Sequence, residues 1–266
     1  MSVDDTAVCD LLFEISNEDR IRILLCLSES PLKPARLSQR LGQKSQETSR
    51  HLSRLEQTGL VSKGVDGLYR VTPFGEVVLT QLPCLAFATH NKAYLKSHTF
   101  AGLPPEFRVR LGELVGATPI EDPLESVYHL QETIRCAQEY VWNVNTPYFS
   151  SGFPHIRAAF DRGVHGRYLR TKEHVVPPPM LEDMERELGP GTSEKYLRFG
   201  QYEERRTPRV DLILYMSEQQ VGLLAFPLVN GGFDYIGFRG DDEATLRFCG
   251  DLFRRLWADG VPVHHA

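Results

Sequence analysis

Gln46, Ser49, Arg50 and Arg54 recur at three- to four-residue spacing within Ser45-Gln-Glu-Thr-Ser-Arg-His-Leu-Ser-Arg-Leu-Glu-Gln-Thr-Gly-Leu-Val61. That spacing puts amide, hydroxyl and guanidinium groups on one face of a helix. Such groups bond phosphate oxygens and the edges of bases. Leu52 and Leu55 fall on the opposite face as anchors, and Gly59 ends the helix before Leu60 and Val61 enter a strand. Lys44 and Ser45 stand at its start, with Ser45 expected as the cap. His51 reads two ways, as a phosphate contact or as packing against the neighbouring helix.

Three elements must position this helix. Residues 7–15 have helical apolar spacing. Ser16 or Asn17 caps a second helix that carries Ile21, Ile23, Leu24, Leu25 and Leu27 and stops at Pro31. Pro34 opens a short third helix, Ala35 to Leu41, which Gly42 ends. Helix, tight turn, helix is the helix-turn-helix unit. After it, Leu60–Lys63 and Leu68–Val71 flank Gly64-Val-Asp-Gly67, a hairpin in the position of a wing. Lys63, Tyr69 and Arg70 of that wing are expected to reach the backbone or minor groove of a duplex. Thr72-Pro73 caps a further helix, Phe74 to Leu82.

Charge agrees with this placement. The chain of 266 residues has a net charge of −5, yet residues 33–71 hold eight Lys/Arg against three acids. Residues 1–32 hold two Arg against seven acids. A basic segment inside an acidic chain is the footprint of a phosphate-docking surface. The hydrophobic fraction of 41% and charged fraction of 24% are those of a soluble globular protein with about two domains. No apolar run approaches the roughly 20 residues of a membrane helix. The N-terminal Met-Ser-Val-Asp-Asp lacks the features of a signal peptide, so a cytoplasmic location without membrane partners is expected. The five cysteines are widely spaced, with no CxxC, and are expected to be buried thiols rather than metal ligands.

Ser49-Arg50-His51-Leu52, with Leu55-Glu56 and Gly59-Leu60-Val61, resembles the recognition helix of ArsR/MarR-like winged helix-turn-helix regulators, over residues 7–82. The resemblance implies that Gln46, Ser49, Arg50 and Arg54 face a DNA groove. The Cys-Val-Cys type of metal site found in metal-sensing members is absent, so metal sensing is not implied.

Residues 83–118 read as a helical connector and 119–266 as a second domain. Leu124 to Gln138 is an amphipathic helix with Leu124, Val127, Leu130 and Ile134 on one face. Tyr140–Thr146 alternates as a strand, Phe153–Arg162 is a helix, and Val164–Arg170 is a strand, an order that predicts a parallel crossover unit. Residues 175–197 read as loop with one helix, Met180 to Leu188. Val210–Met216 and Val221–Val229 read as a hairpin, Phe233–Phe238 as a short strand, and Asp241 or Asp242 as the cap of a last helix ending at Trp257.

The run from Ala137 to Thr146, with Arg162-Gly-Val-His-Gly-Arg-Tyr-Leu169, is similar to the core repeat of phospholipase-D-like domains. With the winged helix before it, the whole chain resembles archaeal regulators with a Fil-type (methanogenesis-regulator) C-terminal domain. That family name does not imply control of methanogenesis here. The expected fold is an α+β winged helix-turn-helix domain followed by an α/β domain of phospholipase-D-like type. Phosphodiesterases of that fold need His-x-Lys-x4-Asp, whereas His90-Asn-Lys92 has Ser97 at the acid position and lies in the connector. With no GxSxG, P-loop or HExxH either, no enzyme, catalytic residue, cofactor or metal is expected.

The second domain is then read as an effector or dimerisation domain. Ligands of open α/β sheets bind beyond the carboxyl ends of the strands, where Thr146, Tyr148, Arg170 and Lys172 fall. Trp142, Tyr168, Tyr215 and Tyr235 are candidate pocket aromatics, and Arg170 and Lys172 suit a small anionic effector. The sequence thus points to a homodimeric, sequence-specific regulator on double-stranded DNA that responds to a ligand. The alternative is a winged-helix protein-interaction or small-molecule-binding module without specific DNA binding.

Overall fold

A computed structural model describes residues 5–146, 149–189, 191, 195–196 and 199–263. The chain divides into two units, Met1–Pro83 and Cys84–Ala266. Among the described residues no helix is long and apolar enough to cross a membrane.

In the first unit α1 (Asp5–Ile15), α2 (Glu18–Glu29), α3 (Pro34–Leu41) and α4 (Ser45–Gln57) precede the hairpin β1 (Val61–Lys63) and β2 (Tyr69–Val71). Asn17 caps α2, its side-chain oxygen accepting from Arg20 N at 3.1 Å, with Glu18 and Asp19 in the positive first turn. Gly42 takes the left-handed conformation, φ +65°, that closes α3 and turns the chain toward α4. Ser45 does not cap α4. Lys44 holds that position without a side-chain bond, and Ser45 is the first helical residue, its hydroxyl 3.4 Å from that of Ser38. Ile23, Leu24, Leu37, Leu52, Leu55 and Leu60 form the buried centre of this unit. The β-ladder pairs Val61 with Val71 and Lys63 with Tyr69.

Helix α5 (Pro73–His90) begins where expected, with Thr72 Oγ1 accepting from Gly75 N at 3.0 Å. It does not stop at Leu82 but runs through Pro83. Burial of Phe87 in the core of the second unit offsets the hydrogen bond a helical proline removes. Residues 84–118 differ from the connector expected for them. They contain α6 (Lys92–Ser97) and α7 (Pro105–Arg108), and Leu103, Phe107 and Leu114 are buried with Phe87 in the main core. Apolar side chains among Pro and Gly turns still have to leave water, and here they do so on the sheet that follows.

That sheet is mixed. Its strands are β3 (Thr118–Ile120), β4 (Tyr140–Val144), β5 (His165–Thr171), β6 (Tyr202–Thr207), β7 (Ile213–Ser217), β8 (Val221–Ala225), β9 (Gly237–Gly240) and β10 (Val261–Pro262). Their order is β10-β6-β5-β4-β7-β8-β9-β3. Among the described residues it is accompanied by α8 (Pro123–Cys136), α9 (Phe153–Asp161), α10 (Pro178–Leu188) and α11 (Glu243–Asp259). β4, β5 and β6 are parallel, so the strand–helix–strand unit lies as its order predicts, with α9 as the crossover. β6, Tyr-Glu-Glu-Arg-Arg-Thr, has no apolar alternation to announce it. It is a strand because both its edges are paired and its inward Glu204 is held by arginines. The short strand expected from Phe233 begins instead at Gly237, after a loop turned by Tyr235 at φ +62°.

Successive residues of β4 serve opposite layers. Trp142 and Val144 join Phe248, Leu252 and Phe253 of α11, with the Trp142 and Phe253 rings stacked at 4.5 Å. Val141 joins the other layer, with Leu130 and Ile134 of α8 and Ala159 of α9. Leu124, assigned by its spacing to the inner face of α8, is 77% exposed, and Ser126 is buried in its first turns instead. Of the five cysteines only Cys249 is buried, and Cys9 is exposed.

Candidate nucleic-acid interface and effector pocket

On α4, Thr48, His51, Leu52 and Leu55 are buried, while Lys44, Ser45, Gln46, Ser49 and Arg50 are exposed together at its N-terminal half. The buried stripe is anchored by polar contacts that spacing alone does not show. Gln43 Nε2 donates to Asp19 at 2.6 Å, and Thr48 Oγ1 donates to Gln43 at 3.2 Å. His51 Nε2 lies 3.8 Å from the Asp19 carboxylate, and burial pushes its pKa down. His51 thus packs against α2, which settles the alternative that its sequence left open.

Three other expected contacts are used within the protein. Arg54 donates to both oxygens of Glu14 on α1, at 3.1 and 2.5 Å, and its guanidinium lies 5.7 Å from the Phe13 ring. Arg70 is paired with Asp66 across the wing turn at 2.6 Å. The hydrogen bond from Arg70, with that from the Leu68 N–H, holds the Asp66 carboxyl at about 2. Tyr69 is buried at 8% exposure, and its backbone pairs with Leu32, so it is a core residue and not a groove contact. Lys63 remains exposed on the wing, its ammonium 5.8 Å from the Tyr69 ring.

In the second unit, register places Asn143 of β4 directly opposite Tyr168 of β5 on one side and Tyr215 of β7 on the other. These three and Thr146 form the floor of a pocket walled by Phe149, Phe153 and Ile156. Asn143 Oδ1 accepts from Thr146 N at 3.3 Å. Arg170, two residues beyond Tyr168, is buried with its guanidinium 5.4 Å from the Tyr168 ring. It donates to His174 Nε2 at 2.7 Å and approaches Glu204 at 4.0 Å. Burial, then Arg170 and Arg206, push the His174 pKa down to about 4, so the ring is a neutral acceptor.

Thr146, Tyr168 and Tyr215 therefore come together as the sequence suggests, with Arg170 beside them. Trp142 does not, because the strand turns it to the opposite layer. Tyr235 lies in the loop before β9, where its carbonyl accepts from Ser126 Oγ, and it is not among the residues lining the pocket. Lys172 is exposed past the end of β5, and Tyr148 lies outside the described residues. Sequence reasoning does not single out Asn143, Phe149, Phe153 or Ile156. The one available signal is an Asn at an inward position of an otherwise apolar strand.

A Ser–His–Asp arrangement is likewise invisible in the spacing of the sequence. Ser97 Oγ lies 3.0 Å from His98 Nδ1, and His98 Nε2 lies 3.1 Å from Asp234. The same Nδ1 also lies 3.0 Å from the Tyr94 carbonyl, and the His98 ring stacks on Tyr94 at 3.7 Å. The constellation ties α6 to the loop before β9.

Residues 9–90 match the family described as the HVO_A0261 N-terminal domain. No curated protein sequence matches the chain. Similar solved structures include TrmBL2, an archaeal chromatin protein described as showing a novel mode of DNA binding. It is 19% identical, at a TM-score of 0.43 over 98% of this chain and 100% of that one. They also include the mitomycin 7-O-methyltransferase MmcR, 17% identical, at a TM-score of 0.27 over 71% of this chain and 63% of that one. An O-methyltransferase family protein from Burkholderia thailandensis is 14% identical, at a TM-score of 0.23 over 75% and 64%. All three superpose loosely, and none carries the functional argument.

Proposed function

We propose that this chain is a sequence-specific, DNA-binding transcriptional regulator of the winged helix-turn-helix type. The observation that carries the reading is the two-sidedness of α4. One face is fastened into the core, and the other presents Lys44, Ser45, Gln46, Ser49 and Arg50, with the acid Glu47 among them, as a polar surface. A major groove accepts one helix, in which Arg suits guanine and Gln suits adenine. Lys63 on the wing supplies a backbone contact.

The regulator acts as a homodimer in the cytoplasm. Val8, Leu12 and Phe13 of α1 and Phe74 and Val77 of α5 are exposed apolar residues, which a second copy would cover. Twofold symmetry would set the two α4 helices about 34 Å apart on a pseudo-palindrome. The second unit is a non-catalytic effector domain, of the phospholipase-D-like type that its sequence resembles. A ligand there changes DNA affinity only through unequal binding to the DNA-competent and incompetent states.

Fluorescence anisotropy with the protein's own upstream DNA and a scrambled duplex, at two salt concentrations, tests the reading. Tighter binding to the native fragment that weakens steeply with salt is the expected result. Equal, weak binding to both duplexes at both salts would overturn it.

A further inference from the structure

Helix α4 starts without the side-chain cap that commonly fixes a first turn, since Lys44 holds the cap position without a bond. Gln43, in the turn before it, supplies a different tie. Its Nε2 donates to Asp19 Oδ1 of α2 at 2.6 Å, and its Oε1 accepts from Thr48 Oγ1 of α4 at 3.2 Å. Its backbone N–H donates to the Ser38 carbonyl of α3 at 2.9 Å. One residue of the turn thus joins three helices. Both ends of its amide are engaged inside the protein, so Gln43 itself is not offered to a base. The apolar anchors Leu52 and Leu55 lie one and two turns beyond the buried Thr48. Apolar contact is non-directional, whereas a hydrogen bond weakens steeply when its angle changes.

We propose that Gln43 is a positioning residue for DNA recognition: with Asp19 and Thr48 it fixes the rotation of α4 about its own axis and so aims Gln46 and Arg50 at base edges. Gln46 and Arg50 are exposed one turn apart, and buried Thr48 lies two positions from each, on the opposite side of the helix. A rotation released at Thr48 therefore passes straight to them. Turning a helix of about 5 Å outer radius by about 10° moves its outer groups by about 1 Å. A bidentate contact to guanine or adenine is lost at such a shift, while attraction of a cation to the phosphates persists. The tie bears on discrimination between sequences more than on affinity for DNA in general. This inference rests on the reading of α4 as a recognition helix.

Anisotropy titrations of the full chain with the native upstream duplex and a scrambled one, paired with thermal melts, test it, and the ratio of the two affinities is the readout. Gln43→Leu, similar in size but without the amide, is expected to lower the ratio about fivefold or more and to leave affinity for the scrambled duplex within about twofold. Asp19→Asn keeps an oxygen that accepts from Gln43 and should keep the ratio, whereas Asp19→Ala should lower it. Both remove the same charge from the first turn of α2, so their contrast isolates the hydrogen bond. Hydrogen exchange gives a readout free of DNA, and residues 45–52 of Gln43→Leu are expected to exchange faster than in wild type while α2 is unchanged. The proposal is overturned if Gln43→Leu melts cooperatively and keeps the wild-type ratio, or if its two affinities fall in step. Should Gln43→Leu fail to fold, equal ratios for Asp19→Ala and Asp19→Asn overturn it instead. A wild-type protein with no preference between the duplexes overturns the reading of α4 as a recognition helix. In that case faster exchange confined to residues 45–52 still supports the tie, and unchanged exchange overturns it.

Discussion

Glu14 of α1 and Arg54 of α4 are joined by two hydrogen bonds, 3.1 and 2.5 Å long, across forty positions of sequence. The same carboxylate lies 3.5 Å from the buried guanidinium of Arg20 on α2. One acid thus fastens three helices of the first unit and engages the arginine of α4.

Glu14→Gln is expected to lower stability by about 1–3 kcal/mol, because it leaves Arg20 buried without a carboxylate partner. The Arg54 hydrogen bond, opposed by burial and aided by Arg20, holds the Glu14 carboxyl below its ordinary value of 4.5. A depressed folded-state pKa contributes stability that is complete above the unfolded value and lost as pH falls through the folded one. Denaturant titrations should therefore show the full Glu14→Gln penalty at pH 7 and a shrinking one below pH 4.5. A penalty that stays constant into acid would count against the ion pair.

Arg50 is exposed on α4. Arg50→Ala is expected to cost about 1–3 kcal/mol of affinity for the native duplex while changing stability by less than about 0.5 kcal/mol. Arg54→Ala should show the opposite balance, with a larger loss of stability than of base discrimination. Anisotropy titrations paired with thermal melts distinguish them, and equal effects in both assays would contradict the division of labour.

The wing carries its own restraint. Asp66 occupies the guanidinium of Arg70, and its carboxyl, held at about 2 by that contact, stays ionised through any ordinary pH. Asp66→Asn should free Arg70 for a phosphate, tightening DNA binding and steepening the slope of log affinity against log salt by about one. An unchanged slope would mean that Arg70 cannot reach the duplex.

Tyr215→Phe is expected to leave the melting temperature unchanged or raise it. Burial pushes the pKa of that hydroxyl well up, and the group has no protein acceptor among the described residues, so deleting it removes a desolvation cost without breaking a bond. A loss above about 1 kcal/mol would reveal a structural hydrogen bond to the hydroxyl.

The elements of the first unit are legible in the sequence because their signals are local. Asn17 before two acids, Pro34 at a helix start, Gly42 and Gly67 at left-handed turns, and Leu52 and Leu55 on one stripe each act within a few residues. The parallel order of β4, α9 and β5 is legible for the same reason, since strand, helix and strand follow in sequence and such crossovers have one preferred arrangement. β6 is not legible, because its inward position carries Glu204 and only the arginines of neighbouring segments make that burial tolerable.

The sequence by itself determined which face of α4 is polar, because helical periodicity assigns faces without reference to the rest of the chain. Tertiary structure alone decided which of the candidate contacts on α4 and the wing are engaged internally. Arg54, Arg70 and Tyr69 have the residue types of nucleic-acid contacts, yet Glu14, Asp66 and Leu32 engage them. In the second unit the residue types supplied tyrosines and an asparagine at positions 143, 168 and 215, far apart along the chain. Only the register of three strands set them in one row, because cross-strand neighbours are fixed by backbone pairing and by which face of the sheet is buried, and neither is written in the spacing of any single strand.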